Sequence, residues 1–264
     1  MPKRNLPALK DPLRIGCVKY LNARPLVRGW PGEVILDHPA ALCAQLARGD
    51  LDVALVSSFE FLRNPIYRIV DDVSISSAGP VYSVVVAHRG EISEIDEIEI
   101  DPAAETSGNL LRCLLAEMNL HPRFVRTSTS SVRAPDTARL FIGDQAIRFR
   151  QQHADEFRFW DLGEQWDRLI SLPFVYALWL VRPEVADARN IADRLRTLRD
   201  QNLASINKLI AGETDFDREF CARYYGKHLR FNFGEKEKEG LGAFEKLCRK
   251  HGLLPKSEIA FSVV

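Results

Sequence analysis

Hydroxyl, amide and carboxylate side chains gather at four places along this chain, each just beyond a short segment that reads as a strand. Tyr20 and Asn22 follow the run LRIGCV at 13–18, and Ser57 and Ser58 follow DVALV at 52–56. Thr106 and Ser107 follow IEID at 98–101, and Asp144 follows RLFI at 139–142. None of these groups is an activated nucleophile by its neighbours. Their common chemistry is hydrogen bonding. Two of the places open a helix, where unpaired N–H groups and the positive end of the helix dipole favour an anion. The same hydroxyls can cap their own helix, so Thr106 and Ser107 serve either an anion or the backbone. Two such places facing one cleft would suit a small dicarboxylate.

Other chemistries lack their residues. No phosphate-binding loop or G-x-G-x-x-G occurs, nor G-x-S-x-G, nor H-E-x-x-H. The six histidines never fall at metal-ligand spacing, so no metal is expected. The rings of Phe157, Phe159, Trp160 and Trp166 could form a stacking platform, but core packing accounts for them without a basic partner surface.

The elements that must position these groups alternate. Apolar runs at 13–18, 33–37 and 52–56 read as strands, with a helix from Pro39 to Gly49 between the last two. Further strands are expected at 66–70, 81–88, 98–101, 123–126, 139–142 and 174–181, and helices near 106–119 and 190–210. Such alternation predicts an α/β fold with parallel strands and crossover helices, whose ligands bind beyond the carboxyl ends of the strands. The long apolar runs 81–88 and 174–181 bracket a segment with its own α/β pattern, as in a chain that crosses to a second lobe and returns. The expected division is 1–86 with 179–264 as lobe I and 87–178 as lobe II, with a ligand cleft between them. The run Glu235-Lys236-Glu237-Lys238-Glu239 reads as a solvated helix face with i,i+4 pairing.

Composition bounds the partners. The 264 residues carry 36 Lys plus Arg against 36 Asp plus Glu, so no net field favours nucleic acid or an acidic membrane. Hydrophobic residues at 46% and charged residues at 27% are enough for a globular core. Cys17, Cys43, Cys113, Cys221 and Cys248 are odd in number and without C-x-x-C spacing, as expected of buried reduced thiols. No secretory signal follows the basic N-terminal residues and no run reaches the ~18 apolar residues of a spanning helix, so a cytoplasmic protein is expected.

Six strings carry a more specific signal. RIGCVKYLNARPLV resembles the opening of the chorismate dehydratase family of menaquinone biosynthesis. LDVALVSSFEFL, ISSAGPVYSVVV, FIGDQAI and the pair WDLGEQW and LPFVYALW are similar to its later signatures, in the same order, from about residue 13 to 255. The loop Lys19-Tyr20-Leu21-Asn22-Ala23 differs from the Ser-Pro-Cys-Pro-Asn-Asp type of the sister family that makes 1,4-dihydroxy-6-naphthoate. One departure stands at the opening of the second-lobe helix, where the family often has Asp-x-x-Ser-x-Thr-Ser. Asp101, Thr106 and Ser107 match, but Ala104 replaces the Ser and Glu105 replaces an often basic residue.

The resemblance implies a two-lobed fold of the type 2 periplasmic-binding-protein kind. It implies a cytoplasmic hydro-lyase that removes water from chorismate to give 3-[(1-carboxyvinyl)oxy]benzoate on the futalosine route, without metal or cofactor. The residues it implies as catalytic are Asn22, which would hydrogen-bond the leaving hydroxyl or the enolpyruvyl group, and Ser83, which would orient a carboxylate or the hydroxyl. Tyr20, Ser57, Ser58, Thr106 and Ser107 would bind the two carboxylates or line the pocket. Asp144 would bind substrate or, if the substrate's own carboxylate does not take the proton, serve as the base. The same strings would also suit a paralogue or a non-catalytic binder of a small carboxylate.

Overall fold

The computed structural model describes residues 13–102, 104–126, 137–256 and 259–264. Among the described residues, ten strands form two five-stranded sheets. The first sheet holds β1 (Ile15–Val18), β2 (Val34–Asp37), β3 (Val53–Ser57), β4 (Arg68–Ser77) and β10 (Phe174–Val181), in the order β2-β1-β3-β10-β4. The second holds β5 (Val84–His88), β6 (Glu97–Ile100), β7 (Arg123–Arg126), β8 (Thr137–Ile142) and β9 (Arg158–Asp161), in the order β7-β6-β8-β5-β9. Each sheet has three parallel strands, then one strand running antiparallel to both its neighbours. The lobes therefore share one design, and each places loops after its parallel strands where a ligand crevice forms.

Helices cover the sheets: α1 (Arg24–Val27), α2 (Pro39–Arg48), α3 (Ser58–Arg63), α4 (Glu105–Glu117), α5 (Gly143–Gln152), α6 (Leu162–Ile170), α7 (Ala188–Ala204), α8 (Ile206–Ala211), α9 (Arg218–Arg223) and α10 (Glu235–Lys250). A π turn follows α9 at Tyr224–His228. None of the described helices is long and apolar enough to cross a membrane.

Burial explains the strand assignments. β1 and β5 are buried at every residue, and so is β10, which is paired on both edges. β10 lies in the first sheet along its whole length, so the chain has already returned by Phe174 rather than at residue 178. The other crossing comes just before Val84, the first residue of β5 in the second sheet. β4 runs well beyond the expected 66–70 because its polar residues are satisfied inside. Ser74 Oγ donates to the Asn232 carbonyl at 2.5 Å, and Ser76 and Arg230 exchange backbone hydrogen bonds of 3.0 and 2.8 Å. The segments around Arg230 and Val264 thus cover the free edge of β4, where unpaired N–H and C=O groups would invite another chain.

The charge run that opens α10 differs from its expectation. Glu237 is only 2% exposed. Its carboxylate folds back to accept from the Gly234 N–H at 3.0 Å and from Asn232 Nδ2 at 3.1 Å, closing the first turn of the helix. Lys238 pairs with Asp71 at 3.0 Å and with Glu235 at 3.1 Å, an i,i+3 pair in place of i,i+4. The helix expected at 190–210 breaks at Ser205 into α7 and α8.

One hydrophobic cluster runs through both lobes, with a small second one under α5. The helix α10 ties the lobes together from the side. Phe244, fully buried, meets the rings of Phe59 at 6.3 Å, Phe174 at 4.9 Å and Trp166 at 6.2 Å. Gly240 lies so close to the Pro173 carbonyl that any Cβ would collide with it. Trp166 packs inside, and its Nε1 donates to the Leu172 carbonyl at 2.9 Å. The aromatic-rich segment is thus core, as expected, except that its backbone also forms β9 and α6, which the sequence reading missed. All five cysteines are free and buried.

Candidate active site

Between the lobes lies a solvent-open pocket, with about 590 Å3 of space counted together with its open mouth. Lobe I supplies Tyr20 and Asn22 from the loop after β1, Ser57 at the end of β3, and Tyr176 from β10. Lobe II supplies Ser83 beside β5, Thr106 and Ser107 from the first turn of α4, and Gly143 at the start of α5. Val18, Ile75, Val81, Val84 and Ile142 form the apolar floor. The polar groups come from the ends of strands and the openings of helices, as the topology requires.

The lobes touch at the pocket rim. The Thr106 hydroxyl is hydrogen-bonded to the Ser57 hydroxyl across the cleft, and it accepts from the Phe59 N–H at 3.0 Å. It therefore does not cap its own helix. No side chain caps α4, whose N-cap is Ala104, so its first-turn amides face a pocket with the positive end of the helix behind them. Asp144 of α5 accepts from the Leu21 N–H at 2.8 Å, a second bridge between lobes. Gly143 has φ +58°, and a Cβ there would meet the Tyr20 ring at 2.9 Å. That position needs glycine on both counts.

Glu105 lines the same pocket, but its carboxylate pairs with Arg63 of lobe I at 2.6 Å. Arg63 also pairs with the buried Glu60. The acidic residue that departs from the family pattern is thus compensated across the cleft. Cys43, Glu60 and Glu105 place ligand atoms within 4.8 Å of one another, the spacing of a metal site. The Arg63 guanidinium already supplies the positive charge between the two carboxylates, and burial pushes the Cys43 thiol up to about 12. This donor set fits an ion-pair network better than a cation.

The hinge next to Ser83 is held by one buried carboxylate. Asp161 accepts from the Val81 N–H at 3.0 Å, the Tyr82 N–H at 2.8 Å, the Gly163 N–H at 3.0 Å and the Glu164 N–H at 3.2 Å. It caps α6 and fixes the crossing segment with the same two oxygens. Tyr82 takes φ +69°, a conformation that costs a non-glycine residue and persists only when its surroundings impose it. Gly163 has no room for a side chain, with the Gly79 carbonyl, Tyr176 hydroxyl and Ser77 hydroxyl all within 2.9 Å of where Cβ would stand. The WDLGEQW string therefore encodes a cap, a close approach and a buried indole.

The titratable groups in the pocket wall are held uncharged or paired. Burial pushes the Tyr20 phenol up to about 12, helped by Asp101 and Asp144, and raises fully buried Tyr176 well above the ordinary tyrosine value. Just outside the lining, Asp144 is raised by burial, while the Leu21 N–H opposes the shift. Asn22 Oδ1 is buried in the wall with no hydrogen-bond partner. A buried acceptor of this kind is costly unless a ligand supplies the donor.

Of the eight site residues expected from sequence, Tyr20, Asn22, Ser57, Ser83, Thr106 and Ser107 line this pocket. Ser58 does not. It is fully buried, and its hydroxyl donates to the Val175 carbonyl at 2.7 Å. Asp144 is outside the lining too, committed to Leu21. Two tyrosines were missed. Tyr176 reaches the pocket from β10, and a phenol in an otherwise apolar strand was the signal available, since it must find a polar partner. Tyr224 stands behind Ser83, and nothing in its local pattern marks it.

Two lobes of matching strand order, a pocket between them and hydrogen bonds closing the rim define the periplasmic-binding-protein class of α/β fold. Solved structures of that shape cover nearly the whole chain. Protein AF1704 from Archaeoglobus fulgidus matches with a TM-score of 0.67 at 19% identity, over 92% of this chain and 98% of that one. The periplasmic aliphatic sulphonate-binding protein SsuA from Escherichia coli matches with a TM-score of 0.62 at 13% identity, over 92% and 88%. Sequence goes further: the chain belongs to the menaquinone biosynthesis family, whose model matches residues 13–250. It is also similar to the chorismate dehydratase of Thermus thermophilus, at 28% identity over 255 residues, 88% of this chain and 94% of that one.

Proposed function

We propose that this protein is a chorismate dehydratase of menaquinone biosynthesis, with the cytoplasm as its compartment. The observation that carries the reading is the unpartnered Asn22 Oδ1 in a wall that also presents Ser83 and the uncapped opening of α4. Chorismate brings what those groups lack. Its ring hydroxyl can donate to Asn22, and a carboxylate can accept from the first-turn amides of α4 and the Ser107 hydroxyl. Ser83 donates to the departing oxygen.

The reaction breaks the carbon–oxygen bond to that hydroxyl and removes the proton from the ring carbon bearing the enolpyruvyl ether. Water leaves, and 3-[(1-carboxyvinyl)oxy]benzoate remains. Aromatisation drives the step, so positioning and a modest base suffice. The pocket wall supports the substrate's own enolpyruvyl carboxylate as that base. Among the described lining residues, Tyr20 and Tyr176 are neutral phenols, and the Glu105 carboxylate is engaged by Arg63. Asp144 lies outside the lining and holds Leu21.

Purified protein incubated with chorismate, without added metal or cofactor, tests the reading by liquid chromatography and mass spectrometry. The expected result is conversion to the benzoate with loss of one water. Saturable binding of chorismate without product would replace the enzyme by a binder of the same fold.

A further inference from the structure

The π turn at Tyr224–His228 begins with two consecutive buried tyrosines. Tyr224 donates its hydroxyl to Ser83 Oγ at 2.6 Å, and Tyr225 donates to the Leu21 carbonyl at 3.0 Å. Ser83 belongs to the lobe II wall, and Leu21 precedes Asn22 in the lobe I wall. One turn thus reaches both walls of the pocket from behind. A π turn carries an extra residue relative to the α ladder and recurs at functional sites. Phe220 stacks on the Tyr224 ring at 5.5 Å and holds it in place.

We propose that Tyr224 is a positioning residue that sets the hydrogen-bond direction of Ser83, and that Tyr225 does the same service for the Leu21–Asn22 loop. The proposal rests on the dehydratase reading above. A serine hydroxyl has one hydrogen and two acceptor sites. The phenol occupies one acceptor site, so the serine hydrogen is left to point into the pocket. A hydroxyl that accepts one hydrogen bond donates a stronger one. Burial keeps the Tyr224 phenol protonated, with its pKa raised above the ordinary value. Leu21 is held at both backbone groups, its carbonyl by Tyr225 and its N–H by Asp144 of the opposite lobe.

The test compares Y224F, S83A and the double variant, with chorismate turnover followed by mass spectrometry. Y224F keeps the ring and its stacking. It should lower kcat about ten-fold, the effect of one lost hydrogen bond, with KM within about two-fold. In the S83A background the same change should have no further effect, since the group it orients is gone. Replacing Tyr224 by 3-fluorotyrosine, which keeps the donor, should restore kcat. The companion Y225F should be non-additive with N22A and additive with S83A, and it carries the test if Y224F melts early. Full activity in Y224F, or an equal loss with and without the Ser83 hydroxyl, would overturn the proposal. A wild-type protein that makes no product from chorismate would instead remove the reading beneath it, before any variant is compared.

Discussion

Around the pocket the lobes meet through polar contacts, and at α10 they meet through aromatic ones. The rim has the Ser57–Thr106 hydroxyl pair, the Asp144–Leu21 hydrogen bond and the Arg63–Glu105 ion pair. Around α10, Phe244 is enclosed by Phe59, Phe174 and Trp166, and Cys113 of α4 faces Cys248 at 3.8 Å. Water can replace a polar contact at a net cost of about 1 kcal/mol, whereas exposing a buried ring costs several times that. The difference teaches a division of labour. The rim is built to release and admit a ligand, while the aromatic clasp keeps the two lobes in one molecule. Changes at the clasp should therefore act on stability, and changes at the pocket on turnover.

The largest effect is expected at the clasp. Phe244→Ala should destabilise the fold by about 3–5 kcal/mol, the usual cost of emptying such a site. Chemical denaturation measures it, and turnover per folded molecule should stay within about three-fold of wild type. A large loss of turnover at full folding would break the division. The pocket should show the reverse. Asn22→Ala and Ser83→Ala should each lower kcat by about 10²-fold, the scale of one lost transition-state hydrogen bond, with the melting temperature nearly unchanged. Relief of the unpartnered Asn22 acceptor even favours stability in the first of these.

The rim should fall between these extremes. Thr106→Val removes the hydroxyl that bonds to Ser57 and to the Phe59 N–H, and should raise KM about ten-fold by weakening closure. Arg63→Gln leaves the Glu105 charge uncompensated in the pocket wall. It should raise KM for a dicarboxylate a few-fold, more at low salt than at high salt, in steady-state kinetics. A KM independent of salt would contradict that account.

The smallest effect is a pH dependence. Burial raises the pKa of Asp144 in the folded protein, so the folded state keeps this proton to higher pH than the unfolded chain. The group's contribution to stability is then fullest below the ordinary carboxylate value and declines as pH rises through the raised one. Asp144→Asn should flatten that decline in melting curves taken between about pH 4 and 7. It should cost little turnover if the substrate's own carboxylate takes the proton.

The sequence made some of this plain and hid the rest for physical reasons. β1, β3 and β10 are short or uninterrupted apolar runs, and such runs announce buried strands, while β6 shows as an alternation of Glu and Ile. The ends of β1, β3 and β6 led to five of the pocket-lining residues, Tyr20, Asn22, Ser57, Thr106 and Ser107, because ligands in such sheets bind beyond strand ends, whereas Ser83 came from the family resemblance. β9 and α6 were hidden because Arg158–Ile170 mixes aromatic and charged residues with neither clean period. Ser58 looked equivalent to Ser57, but it is the first residue of α3 and its hydroxyl turns into the core. Glu237 was hidden inside a charge run, since only tertiary packing decides which carboxylate folds back on its own helix start. Tyr224 reaches Ser83 across 141 residues of sequence, a pairing no local pattern encodes.

The central claim is that the pocket performs the elimination rather than merely holding the ligand. The most direct measurement takes wild-type protein and Asn22→Ala side by side with chorismate, reading binding by calorimetry and product by mass spectrometry on the same samples. The account predicts that both bind and that wild type alone forms 3-[(1-carboxyvinyl)oxy]benzoate at an appreciable rate. Equal rates in the two, or binding by wild type with chorismate recovered intact, would contradict it.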